Sequence, residues 1–466
     1  MAVLASFVAF LDGSVVNLAL PAIAADFGGG LALQQWVVDG YLLALSALIL
    51  VAGAVSDQFG RLTVLRMGLA VFAVASLGCA LAPAGWVLVG ARCLQGVGAA
   101  FLVPSSLAMI NSRFTGARQA AAVGTWTAWT GTAFVVGPPL GGLLVDALSW
   151  RWVFGINVIP LAVTLYLSTR LGPATGTGRR SKPIDVVGAA LCAVGLSASV
   201  YALIEVQRLG VTHPAVLAAF VVGAGCLVAF PWWETRVTNP IMPLQLFATR
   251  NFAVGNLATV FLYAAVSLGT MLVALFLQET VGMSASQAGL ATLPLPVLSF
   301  FLARPFGTLA GRHGPRVYMA VGPALAAVGF LLLTSVRVPF DFWTQMLPGL
   351  VVFGIGMSVT VSPLTAAVLA AVDQAQSGIG SAVNNAVSRI AGLVAVAVMG
   401  SIVGAAVDFT GFRHGVVAVA VSFALAGVVS AVGISNRQCD TGRLSPQGCA
   451  GYADKATPPP AFTVPD

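Results

Sequence analysis

Apolar residues run through this chain in long blocks, and the polar residues gather in the short gaps between them. A helix advances about 1.5 Å per residue, so about 20 apolar residues cross the roughly 30 Å hydrocarbon layer of a bilayer. Fourteen blocks have that length, at about 1–24, 36–56, 63–82, 85–110, 120–144, 152–169, 184–204, 212–233, 252–277, 287–309, 316–336, 343–371, 380–406 and 415–434. The pattern predicts an all-α polytopic membrane protein with fourteen spanning helices.

One gap is repeated. Gly53-Ala54-Val55-Ser56-Asp57-Gln58-Phe59-Gly60-Arg61 follows segment 2, and Gly307-Thr308-Leu309-Ala310-Gly311-Arg312-His313-Gly314-Pro315-Arg316 follows segment 10. Both copies carry glycines seven positions apart with a basic residue after the second, so the halves echo each other with an offset of eight helices. The simplest division is a six-helix bundle over 1–169, a cytoplasmic linker over 170–183, an inserted two-helix hairpin over 184–233, a second six-helix bundle over 234–434, and a tail over 435–466. The linker is rich in Gly, Thr and Arg, and the tail is polar with Pro458-Pro459-Pro460, a composition that predicts disorder.

Composition agrees with a lipid environment: 58% of residues are hydrophobic and 8% charged, with a mean hydropathy of +0.95. The net charge of +7 is a topology signal. Loops after even-numbered segments hold Arg61, Arg66, Arg113, Arg118, Arg170, Arg179, Arg180, Lys182, Arg236, Arg250, Arg312 and Arg316, whereas loops after odd-numbered ones hold only Arg151, Arg208, Arg337 and Arg413. Lys and Arg accumulate on the cytoplasmic side, which predicts that both termini are cytoplasmic. No basic cluster with interleaved aromatics suggests nucleic acid. Trp36, Trp86, Trp150, Trp152, Trp232, Trp233 and Trp343 fall near segment ends, where an amphipathic ring suits the interface. Six cysteines and three histidines have no metal-ligand spacing, and no Gly-rich loop ends in Gly-Lys-Ser/Thr, which argues against ATP-driven transport. No small-residue cleavage site marks a removable signal at the start.

Charges inside the apolar blocks are the candidate chemistry. Asp12 lies about eleven residues into segment 1, some 16 Å deep, where a carboxylate is costly unless protonated or paired. Arg92 in segment 4 is equally costly unless it faces water or an acid. Asp39 lies near the outer end of segment 2, and Arg304, Asn384, Asn385 and Arg389 are the polar groups of the second half. That half has no clear mid-membrane carboxylate, so proton coupling rests on the first half. Glu205, Asp146 and Asp185 read as helix-end acids without a functional role.

Six motifs in order resemble the fourteen-helix drug:proton antiporter branch of the major facilitator superfamily over about residues 3–434. They are Leu11-Asp12-Gly13-Ser14-Val15-Val16-Asn17-Leu18-Ala19-Leu20-Pro21, the loop from Gly53 to Arg61, Arg92-Cys93-Leu94-Gln95-Gly96-Val97-Gly98-Ala99, Gly137-Pro138-Pro139-Leu140-Gly141-Gly142, Trp150-Arg151-Trp152-Val153-Phe154-Gly155-Ile156-Asn157, and Asn384-Asn385-Ala386-Val387-Ser388-Arg389. The resemblance implies export of hydrophobic, often cationic drugs or antibiotics from the cytoplasm by a monomer. It implies that the proton gradient supplies the energy and that no cofactor is needed. It also implies that Asp12 and Arg92 handle the proton, that Asp39 is a site for cationic cargo, and that Gly137, Pro138, Pro139, Gly141 and Gly142 favour export and seal leaks.

The same resemblance implies that Gly53, Asp57, Gly60 and Arg61 latch the two bundles on the cytoplasmic side. The chain departs from that pattern at Gln58, where an arginine is usual, and at Gly311, where the second copy lacks an acid. Trp126, Trp129, Phe134 and Tyr263 are aromatic candidates for touching cargo. Two other readings stay open: an exporter of a different cargo such as a sugar, siderophore or lipid, and a membrane-embedded enzyme or sensor. The second would need a catalytic constellation or a folded soluble domain, and the longest non-membrane segment is the tail.

Overall fold

The computed structural model describes residues 1–113, 116–169, 185–373, 377–404 and 406–436. The linker over 170–183, and the tail from residue 437 on, lie outside the described residues. Every spanning element is helical: α1 (Ala2–Phe27), α2 (Gly30–Phe59), α3 (Arg61–Ala80), α4 (Gly85–Arg113), α5 (Gly116–Ala147), α6 (Arg151–Gly155 and Val158–Thr169), α7 (Val186–Leu209) and α8 (Pro214–Glu234) form the first series. The second is α9 (Arg250–Leu275), α10 (Ala285–Ala291 and Pro294–His313), α11 (Arg316–Leu332), α12 (Leu347–Ala370), α13 (Ser377–Ala397) and α14 (Phe409–Gly433). Thirteen spans among the described residues are long and apolar enough to cross a membrane, and α5, with 32 residues, completes the fourteen. Helix 2 starts six residues before its apolar block, and the two glutamines that precede that block, Gln34 and Gln35, are buried against other helices.

The packing repeats as the loops do. In the first half α2 and α3 both pack on α4, α1 packs on α5, and α3 on α6; in the second half α10 and α11 pack on α12, α9 on α13, and α11 on α14. Each pair returns with its number raised by eight. The halves meet where α2 touches α13 and where α10 touches α5, again equivalent pairs, while α1 faces α9. The loop glycines share a conformation too. Gly60 has φ 88° and Gly314 has φ 86°, a left-handed backbone that costs glycine least, and the next helix starts within two residues of each.

In lipid the helices gain nothing by hiding apolar surface from one another, so close packing through small residues holds them. Glycines seven apart on α11 (Gly322, Gly329) and on α12 (Gly349, Gly356) face each other. A Cβ added at Gly356 would stand 2.5 Å from the Ala326 nitrogen, and one at Gly329 would stand 2.5 Å from the Phe353 nitrogen. Backbone cannot step aside as a side chain can. Gly356→Leu is therefore expected to destabilise the second half by about 1–3 kcal/mol or more, read as a lower thermal unfolding midpoint in detergent; an unchanged midpoint would refute this contact.

The hairpin of α7 and α8 covers the seam between the halves. Cys192, Leu196, Val200 and Ile204 of α7 pack with Leu393 and Ala397 of α13, and with Trp36 and Leu43 of α2 at the edge. Its acids sit at helix ends, as expected, and each has a partner. Glu205 is 9% exposed, accepts from Trp36 Nε1 at 3.1 Å and pairs with Arg208 at 2.7 Å, which ties the hairpin to α2. Asp185 accepts from Trp233 Nε1 at 3.0 Å and caps α7 through the Gly188 nitrogen.

The tryptophans divide accordingly. Trp86, Trp152, Trp232 and Trp343 are exposed, as interfacial rings would be. Trp150 is not: it is buried against Phe27 and Phe154 and donates to Asp26 Oδ2 at 3.1 Å. A partner for its N–H let the core take the whole ring.

Candidate functional site: a buried ion pair beneath a sealed end

Five helices bring polar groups to one point inside the first half. Asp12 on α1 is fully buried, and Arg92 on α4 is 1% exposed. Arg92 Nη1 donates to Asp12 Oδ2 at 2.6 Å. The other carboxylate oxygen accepts from Gln95 Nε2 at 2.9 Å and from Asn157 Nδ2 at 2.8 Å. Arg92 Nε donates to the Val37 carbonyl at 3.0 Å, and its guanidinium lies 4.4 Å from the centre of the Tyr41 ring. Gln95 also donates to Ser76 Oγ on α3 at 3.0 Å.

Geometry explains the gathering. Arg92 and Gln95 are three apart and share one face of α4, and Asn157 sits at the break between the two parts of α6, where the helix can turn it inward. A buried charge that keeps several donors offsets part of its desolvation cost, and the pair loses that balance if either member changes. Sequence reasoning found Asp12 and Arg92 but assigned no role to Gln95, Asn157 or Ser76. Their signal was only that Gln95 and Asn157 stand inside quoted motifs.

Asp39 is different. It lies on α2 one turn beyond Gln35, is fully buried, and neither carboxylate oxygen has a hydrogen-bond partner. It does not line the cavity between the halves. Trp126 is tied into the first half, donating to Ser6 Oγ at 2.9 Å, and Trp129 and Phe134 are exposed. Tyr263 packs against the main apolar core.

The end of the bundle where α1 finishes and α2 begins is closed by contacts between the halves. Gln34 of α2 donates to Glu279 Oε1, just beyond α9, at 2.5 Å, and Gln35 donates to the Val396 carbonyl of α13 at 2.6 Å. Asp146 of α5 accepts from the Ala285 and Ser286 nitrogens, at 3.1 and 2.8 Å. These are the free donors of the first turn of α10. Asp146, passed over as a helix-end acid, is thus a clasp between the halves.

The glycines make that approach possible. A Cβ at Gly142 would stand 2.4 Å from the Ala285 oxygen, and one at Gly289 of α10 would stand 2.4 Å from the Pro138 oxygen. Gly137 and Gly141 instead face α1, where a Cβ would meet Ser14 Oγ and Val15. The motif from Gly137 to Gly142 therefore lays α5 against α1 on one side and α10 on the other.

Deeper in, a narrow gap between the halves, with a free volume of about 10 Å³ that suffices for one water, is lined by Ala9, Phe10, Tyr41 and Leu45 on one side and by Asn385 and Arg389 on the other. Asn384 points away from it and holds α13 to α9, donating to Asn256 Oδ1 at 3.1 Å and to Thr259 Oγ1 at 2.9 Å. Of the gating loop, Gly60 and Arg61 make the turn into α3; the surroundings of Gly53 and of the Asp57 side chain lie outside the described residues.

Residues 2–396 match the Major Facilitator Superfamily. The chain belongs to that family. It is 33% identical over 406 residues to a multidrug resistance protein, Stp, of Mycobacterium tuberculosis, covering 87% of this chain and 75% of that protein. It is 32% identical over 426 residues to a methylenomycin A resistance protein of Streptomyces coelicolor, covering 91% and 88%, and 34% identical over 386 residues to the puromycin resistance protein pur8 of Streptomyces alboniger, covering 80% and 75%. The fold resembles a crystal structure of the peptide transporter POT with sulfate, at TM-score 0.68, 13% identity and 92% of each chain. It also resembles an inward-open xylose transporter from E. coli, at TM-score 0.64, 14% identity, and 94% and 96% of the two chains. A major facilitator protein with these relatives is a multi-pass membrane transporter.

Proposed function

We propose that this chain exports hydrophobic small molecules, drugs or antibiotics among them, from the cytoplasm in exchange for protons. The observation that carries the reading is the buried Asp12–Arg92 pair directly beneath a cleft sealed at one end. Family membership and the resistance proteins among its relatives support drug-like cargo, and the basic loops support cytoplasmic termini with the sealed end facing outward.

The cycle follows from the pair. With the outer end closed, Asp12 is an anion held by Arg92, Gln95 and Asn157. When the halves rock and the cleft opens outward, a proton on Asp12 replaces Arg92 as its partner. The freed arginine and the repacked α1 and α4 favour release of cargo. Return to the inward-facing state restores the ion pair and sends the proton into the cytoplasm. Hydrophobic cations have a natural partner in Asp39, which has no hydrogen bond to lose, once a rearrangement of α2 and α13 opens it to the cleft.

The test is growth of a pump-deficient bacterial host, with and without the chain, against dyes, quaternary cations and neutral and acidic antibiotics. Expression is expected to raise the inhibitory concentration of at least one such compound. A properly inserted protein that raises none, while exporting a sugar, siderophore or lipid, would replace drug export with the alternative cargo.

A further inference from the structure

The charges around the central gap do not cancel. Arg389 of α13 lines it with its guanidinium carbon 5.7 Å from the centre of the Phe10 ring. Among the described residues Arg389 makes no hydrogen bond and no ion pair. The acids that might balance it are committed or absent. Asp12 is held by Arg92, and Asp39 is buried outside the lining. The six spanning helices of the second half contain no carboxylate, and Glu279, just beyond α9, lies at the sealed end on Gln34. Those helices contain Arg304 and Arg389 well away from helix ends.

A guanidinium does not lose its proton, and in a low-dielectric cleft without a counter-ion it is costly. A ligand that brings an anion removes that cost, and a carboxylate matches the guanidinium fork with paired hydrogen bonds. The neighbouring wall, Phe10, Tyr41, Leu45 and Ala9, is apolar or aromatic and suits the body of an amphipathic molecule. We infer that this gap, widened as the two halves separate, accepts organic anions, with the carboxylate of the cargo seated on Arg389 and its apolar part against Phe10 and Tyr41. This inference rests on the export reading and names the charge class of its cargo.

The charge has a second consequence. Exchange of a monovalent cation for one proton moves no net charge, whereas export of an anion against an entering proton moves charge inward on both legs. An inside-negative potential then drives export by itself.

The experiment uses the full chain in proteoliposomes, with dansylglycine as an aromatic anion and ethidium as an aromatic cation. Dansylglycine is expected to be carried in preference to ethidium and to respond to a potential imposed with potassium and valinomycin. Arg389→Gln is expected to lower the anion-to-cation rate ratio by roughly tenfold or more, the scale of a lost charged hydrogen bond. Arg389→Lys, which keeps the charge but not the fork, is expected to fall between, provided both variants run as single species on size exclusion. Preference for ethidium, with a ratio indifferent to Arg389→Gln, would overturn the inference and leave the export reading intact. Preference for the anion that survives Arg389→Gln would overturn Arg389 as its seat. Transport of neither probe by inserted wild-type protein would count against both readings.

Discussion

Asp12→Asn is expected to abolish proton-driven export while leaving the protein inserted. Asparagine keeps the shape and can still accept from Gln95 or Asn157, but it carries no exchangeable charge for Arg92 to answer. The substitution also strands Arg92, which is 1% exposed, and breaking one side of a buried ion pair typically costs about 3–5 kcal/mol. Two losses therefore need separating. In proteoliposomes, a gradient of cargo alone should still exchange labelled for unlabelled substrate, whereas an imposed pH gradient should no longer drive accumulation. Asp12→Glu is expected to retain part of the coupling, because the charge remains within reach of Arg92. Uphill transport by Asp12→Asn under a pH gradient would remove Asp12 from the proton path.

Gly142→Val is expected to open the sealed end. Its Cβ would lie 2.4 Å from the Ala285 oxygen and 2.6 Å from the Ser286 Cα, both backbone atoms of α10, so α5 and α10 have to separate. An overpacking penalty of about 1–3 kcal/mol, applied to one side of a two-state equilibrium, shifts it by roughly 5- to 150-fold. The reporter is a disulfide between Gln34→Cys and Glu279→Cys, two positions in hydrogen-bond contact across the halves. Cross-linking should be efficient in the otherwise native chain and should fall sharply with Gly142→Val. A yield unmoved by the valine would mean that Gly142 does not hold the halves together.

Much of the machinery was legible in the residues. Asp12 and Arg92 stood out because a charge in an apolar block is costly wherever the helix faces, and the structure joins them at 2.6 Å. Gly60 and Gly314 stood out because a tight junction between two helices asks for a left-handed residue, and both adopt it. Asp146 was missed for a complementary reason: an acid at a helix end is ordinary, and what makes this one a clasp is the exposed first turn of α10, which follows it by some 140 positions. The partner of Glu205 was hidden in the same way, since Trp36 belongs to a distant helix.

Sequence by itself determined the spanning helices, their repeat and the identity of the costly charges, because these depend on length, hydropathy and local turn geometry. Only the tertiary structure decided which faces meet. In a soluble helix the polar face marks the outside, but in a membrane both lipid and protein neighbours are apolar, so the pattern on a helix does not say which side is covered. That ambiguity hid three facts: Asn157 and Gln95 close around Asp12, Asp39 is buried without a partner, and Arg389 reaches the cleft. Each depends on how helices distant in the chain are set against one another, and close glycine contacts set that arrangement.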